Sequence, residues 1–95
     1  MNITVTLNLL GIPLLDVKQS RMTLTVEEKM TMADLIDLID QRNPGFKQVI
    51  SDEDGNISKQ FVFFINGRNI SYMKGMNSEL SQDDVVNVIP AIAGG

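Results

Sequence analysis

With 95 residues the chain has the length of one domain and too little for a second. It contains no cysteine and no histidine, which removes disulfides, thiolate nucleophiles, zinc–thiolate and iron–sulfur ligands, and the best proton-transfer side chain near neutral pH, and so disfavours an independent enzyme. A formal net charge of −4 argues against nucleic acid or an anionic membrane as the main partner and favours a partner with a basic surface.

The opening Met1-Asn2-Ile3-Thr4 lacks the basic segment and apolar region of a secretory signal, and no run approaches the ~20 apolar residues of a membrane span. The expected compartment is the cytoplasm. Strict alternation follows: Ile3, Val5, Leu7 and Leu9 point one way and Thr4, Thr6 and Asn8 the other, which predicts a half-buried strand. Gly11 and Pro13 interrupt it, and a mostly polar stretch covers residues 16–21. Met22, Leu24 and Val26 then alternate with Thr23 and Thr25, so the two strands form a hairpin with an unusually long connection. That connection carries no functional signal.

The period changes at Thr31. Thr31 and Asp34 have the spacing of a capping box, and Met32, Leu35, Ile36 and Ile39 have that of an amphipathic helix. Arg42 suits the negative end of the helix dipole, and Asn43-Pro44-Gly45 stops the helix. Phe46, Val49 and Ile50 predict one further helical turn before a loop over residues 51–56. Within that loop Asp52-Glu53-Asp54-Gly55 invites a calcium reading, but an EF-hand places its glycine at position six, so a solvated turn is favoured.

Phe61 to Ile65 is an apolar run that ends at Asn66-Gly67, a hairpin turn signal, and a short strand over residues 68–72 is expected to pair back onto it. Met73 and Met76 bracket Lys74-Gly75; gap-filling is the plainer reading of both, ahead of an adaptable contact. Asp83-Asp84 leads into a strand over residues 85–89, which Pro90 is expected to end. The order β-β-α-β-β-β predicts an α+β fold, with one main helix covering one face of a mixed four- to five-stranded sheet and the last strand lying beside the first. Residues 1–90 would form the domain and residues 91–95 a flexible tail, which fully extended reaches ~17 Å from the body.

The segment from Leu80 to Pro90, followed by Ala91-Ile92-Ala93-Gly94-Gly95, resembles the C-terminal signature of the molybdopterin-synthase small subunit, within the ubiquitin-like (β-grasp) sulfur carriers. That signature reads roughly Leu-x-x-Gly-Asp-x-Val, an apolar strand, Pro and Gly-Gly. Phe64-Ile65-Asn66-Gly67 and the helix start at Thr31 also sit where the family has them. Asp83 departs from the pattern by replacing a glycine, although aspartate tolerates a left-handed backbone better than most residues.

The resemblance implies a chemistry for the tail. A free α-carboxylate is an anion at pH 7 and a poor electrophile, its pKa being roughly 3.3–3.7. The resemblance implies that an E1-like adenylating enzyme, using its own ATP and magnesium, activates the Gly95 carboxylate, and that a persulfide sulfur donor then converts it to a thiocarboxylate. This chain binds no cofactor or metal of its own in that reading. Gly94 and Gly95 give a thread thin enough to enter another protein's active site. The acceptor would be the larger molybdopterin-synthase subunit or another sulfur acceptor enzyme. Ile89, Pro90, Ile92 and Phe64 are the candidate partner contacts, and nucleic acid and membrane are not expected partners. Both faces of the 61–65 strand are apolar, so one is core and the other is either a partner patch or a surface covered by the short helix at Phe46.

Three functions follow from this reading. The first is a sulfur carrier for molybdopterin, or alternatively for thiamine or another pathway. The second is a ubiquitin-like modifier joined to lysines through Gly95. The third is an interaction domain whose glycine tail has no chemistry.

Overall fold

Alternation in the first strand has a direct structural outcome: Val5, Leu7 and Leu9 are buried, while Thr4, Thr6 and Asn8 remain half-exposed. The computed structural model describes residues 1–9 and 21–91, so the connection at residues 10–20 and the calls on Ile92, Gly94 and Gly95 lie outside the described residues. Strand β1 (Asn2–Leu9) pairs antiparallel with β2 (Arg21–Glu27), Thr4 opposite Thr25 and Thr6 opposite Thr23. Strand β3 (Phe61–Ile65) pairs with a two-residue β4 (Arg68–Asn69) and, on its other side, with β5 (Val85–Pro90). The sheet order is β2-β1-β5-β3-β4, with β1 and β5 parallel and every other neighbouring pair antiparallel. This is the β-grasp layout, and the last strand does lie beside the first.

Helix α1 (Met32–Arg42) starts where the spacing placed it. Thr31 Oγ1 accepts from the Asp34 N–H at 3.3 Å, and Asp34 Oδ2 accepts from the Thr31 N–H at 3.1 Å. These reciprocal bonds satisfy two orphan amides of the first turn. Hydrogen bonds from Thr31 favour the ionised carboxyl and hold the Asp34 pKa below its ordinary value. Met32, Leu35, Ile36 and Ile39 form the buried stripe of α1 and pack on the sheet. Helix α2 (Phe46–Ile50) is tied to α1 by Lys47, whose Nζ lies 2.7 Å from Asp37 Oδ1 and whose N–H donates to Asp40 Oδ1. The bond to Asp37 raises the Lys47 pKa.

One core cluster joins Val5, Leu7, Leu24, Leu35, Phe46, Ile50, Phe63, Ile65, Val86 and Val88, with smaller contributors from the loops. Phe46 and Ile50 therefore fill the core beside Phe63 and Ile65, and Val62 and Phe64 do not belong to that cluster. Asp52 Oδ1 accepts from the Asp54 and Asn56 N–H groups, the self-closing Asx turn that the solvated-loop reading expects. Among the described residues no group of acids is arranged to hold a metal ion, and no helix is long and apolar enough to cross a membrane.

One expectation changes. The strand expected over residues 68–72 stops after Asn69, and Ile70–Tyr72 forms a 3₁₀ turn. Asn69 Oδ1 accepts from the Ser71 N–H at 2.9 Å, which bends the chain and sends Ile70 into the core. Pro90 ends β5 as expected, as its last residue and opposite Phe61, one residue beyond the expected 85–89, and the Ala91 N–H donates to Gln60 O at 2.6 Å.

Candidate functional site

The site is built from the end of β5 and from the sheet face that α1 leaves open. Paired residues in a ladder share a face. Val62 lies opposite Ile89, Phe64 opposite Asn87, and Asn87 opposite Asn8. Val86 and Val88 of the same strand are buried on the helix side. Val62, Phe64 and Ile89 thus form a half-buried apolar patch on the open face, at the end of the sheet from which the chain leaves. Between the patch and β1, Asn8 Nδ2 donates to Asn87 Oδ1 at 2.8 Å. Beyond it the described strand residues of this face are Thr4, Thr6, Thr23 and Thr25, with Arg21 and Glu27 at the β2 margin.

The other end of β5 is fixed by a polar clasp. Asp83 has a φ of 67°, the left-handed conformation that its place in the signature demands. Its N–H donates to Thr4 O at 2.8 Å, and the Thr6 N–H donates to Asp84 O at 2.9 Å. Asp84 is buried and accepts from Asn66 Nδ2 and from the Ser81 N–H, each at 2.8 Å. Asn66 Oδ1 in turn accepts from the Val85 N–H. The strand is therefore held at its entry by charge-assisted bonds and along its length by core valines, so its exit at Ala91 has a defined direction.

The structure brings Phe64 and Ile89 together and adds Val62, which sequence reasoning left out of the partner contacts. It separates Pro90 from them. The register puts Pro90 opposite Phe61, on the face where Phe61 packs against the core. The signal for Val62 was present in its alternation with Phe61 and Phe63. Which of the two apolar sets faced outward depends on the pairing with β5, and that is not a local property.

With this geometry in place, comparison with known proteins decides the family. The family model described as the ThiS family matches residues 14–95. The chain belongs to the ThiS family. A protein of Archaeoglobus fulgidus assigned as a sulfur carrier is 37% identical over 68 residues, 72% of this chain and 77% of that protein. In fold, the chain is similar to the small archaeal modifier protein 1 of Haloferax volcanii, with a TM-score of 0.76, 14% identity, and 95% and 99% of the two chains covered. It is also similar to a protein of Pyrococcus furiosus assigned as molybdopterin converting factor subunit 1, with a TM-score of 0.73, 24% identity, and 95% and 99% covered. ThiS-like sulfur carriers are small carrier proteins. The chain is thus a member of a sulfur-carrier family.

Proposed function

We propose that the chain is a sulfur carrier whose Gly95 carboxylate is adenylated and converted to a thiocarboxylate, and that it serves molybdopterin biosynthesis as the small subunit of the synthase. The observation that carries this reading is the family match, which extends through Gly94 and Gly95. The resemblance of residues 80–90 to the molybdopterin signature supports the finer assignment, and the left-handed Asp83 fits that signature.

The chemistry needs a partner at each step. A carboxylate oxygen of Gly95 attacks the α-phosphorus of ATP on an E1-like adenylating enzyme, and pyrophosphate leaves. That enzyme supplies the magnesium. A persulfide sulfur then attacks the acyl carbon and AMP leaves, giving an acyl disulfide. A second thiol attacks the sulfur of the persulfide's own carrier, releasing the thiocarboxylate and leaving a disulfide behind. The larger synthase subunit, or another sulfur acceptor enzyme, takes the sulfur from there.

This chain contributes geometry. Four residues follow Ala91 and span at most ~14 Å when extended, enough to enter an active site while the sheet stays outside. The open-face patch of Val62, Phe64 and Ile89 gives the partner an apolar grip near the root of the tail, and Ile92 follows in the sequence. The cytoplasm, where ATP and persulfide donors are available, is the proposed compartment.

A second reading rests on the likeness to the archaeal modifier. The same acyl-adenylate could be opened by a lysine amine, which would join Gly95 to another protein through an isopeptide bond. A carrier for thiamine or another sulfur pathway shares all the steps up to the acceptor. Intact mass spectrometry after incubation with the adenylating enzyme, ATP and a persulfide donor tests the proposal. Replacement of one oxygen by sulfur at Gly95 is the expected result, and a chain that remains unchanged in mass would overturn it. Lysine-linked adducts without any thiocarboxylate would favour the modifier.

A further inference from the structure

At the end of the sheet where β5 begins, away from the tail, a pocket opens between β4 and the loop that leads into β5. It is lined by Arg68, Met73, Lys74, Ser78, Glu79 and Ser81. Two of the chain's eight basic residues therefore share one concavity on an acidic protein. The Arg68 side chain is set in place by a backbone carbonyl, and the backbone of Lys74 is tied to Ser78. Arg68 Nη2 donates to Tyr72 O at 3.2 Å, which orients a guanidinium with further donors to spare. The Lys74 N–H donates to Ser78 Oγ at 3.1 Å.

Ser78 is the decisive residue. It is only 2% exposed, yet it lines the pocket. Its hydroxyl oxygen accepts from Lys74, and among the described residues no acceptor takes its own proton. A buried hydroxyl whose proton is free to donate thus lines the same pocket as an oriented guanidinium and an ammonium. Asp84 does not fill that role, since its carboxylate already accepts from Asn66 and from the Ser81 N–H.

We propose that this pocket binds a phosphate group. Two cations match a dianion in charge, and tetrahedral oxygens can accept from Arg68, Lys74 and the Ser78 hydroxyl together. Planar carboxylate offers fewer acceptors and half the charge. Glu79 also lines the pocket as an exposed carboxylate and weakens the site, so its removal tightens it. The pocket lies about 20 Å along β5 from Ala91, taking ~3.3 Å per residue of strand, so it is separate from the chemistry of the tail.

The test titrates the isotope-labelled full chain with inorganic phosphate at constant ionic strength and follows its amide resonances. Saturable shifts at Lys74, Ser78, Glu79 and Ser81, with none at Val62 or Ile89, are expected. Arg68→Gln and Lys74→Gln each weaken binding about tenfold, the size of one charge-assisted bond, and Glu79→Gln tightens it. Acetate, run at the same ionic strength, binds more weakly than phosphate. Non-saturating shifts, equal shifts at Lys29 and Lys47, unchanged affinity in both cation variants, or acetate binding as tightly as phosphate would each overturn the proposal. All three substituted side chains are exposed, and a thermal midpoint for each variant verifies that the fold is retained.

Discussion

Asn66 Nδ2 donates to Asp84 Oδ1 at 2.8 Å, and through that bond the β3–β4 turn is fastened to the start of the central strand. Asn66 also holds Val85 by both backbone bonds that a ladder could offer, one of them through its side-chain oxygen. Its φ of 53° permits asparagine or glycine and little else. Asn66→Gly therefore keeps the turn but leaves the buried Asp84 short of a donor, at a cost of about 1–3 kcal/mol. Asn66→Asp costs more, because two carboxylates then face each other. Denaturant titrations check both, and a loss below ~0.5 kcal/mol in either variant would show that the clasp contributes nothing.

Leu35 and Val88 are both fully enclosed, one on α1 and the other on β5. Leu35→Ala is expected to cost ~2–4 kcal/mol and Val88→Ala somewhat less, from the cavities left behind. Equilibrium unfolding measures both, and values typical of surface substitutions would mean that helix and strand do not share a core.

Asp83 strains a left-handed position for the sake of the turn into β5. Asp83→Gly should leave the midpoint unchanged or raise it slightly, whereas Asp83→Val should lower stability by roughly 1–2 kcal/mol. If valine is tolerated as well as glycine, the left-handed backbone is not what this position requires.

On the open face, Val62→Asp and Ile89→Asp should change the thermal midpoint little, since both side chains are already half-exposed. Each should sharply weaken association with the adenylating enzyme by placing an unpaired charge in an apolar contact. Gly94→Val should do the reverse, leaving association intact and slowing pyrophosphate exchange, because a β-branched side chain thickens the thread. Normal exchange by Gly94→Val would end the threaded-tail mechanism.

The capping box carries a pH signature. Asp34 has a depressed pKa in the fold, so its contribution is present above the unfolded carboxylate pKa and is lost as pH falls through the lower folded value. Thr31→Ala should cost ~1 kcal/mol near neutrality, and less in acid, where Asp34 is protonated in both proteins. Stability curves for the two proteins that stay parallel down to strongly acidic pH would contradict this coupling.

Much of this could be read along the chain because each element announces its own period. The β1 and β2 alternations, the capping box at Thr31 and the Asn66-Gly67 turn are local signals, and the structure follows them. Asn69 was misread because a side chain that caps a 3₁₀ turn resembles a polar strand residue until its bond to Ser71 is seen. The patch of Val62, Phe64 and Ile89 depends on one register between strands more than twenty residues apart. The chemistry of Gly95 came from resemblance, since a glycine pair has no side chain to argue from.

Strand β5 is the last element in sequence and yet fills the gap between β1 and β3. A nascent chain that stops short of residue 85 has a split sheet, two half-cores and exposed strand edges on both sides of the gap. The closing event is the insertion of a long-range strand, the slowest kind of contact to form. Synthesis thus acts as its own inspection. A truncated product stays open to proteases, and a chain passes as folded only when the strand that leads to its C-terminal glycines has been locked into the middle of the sheet.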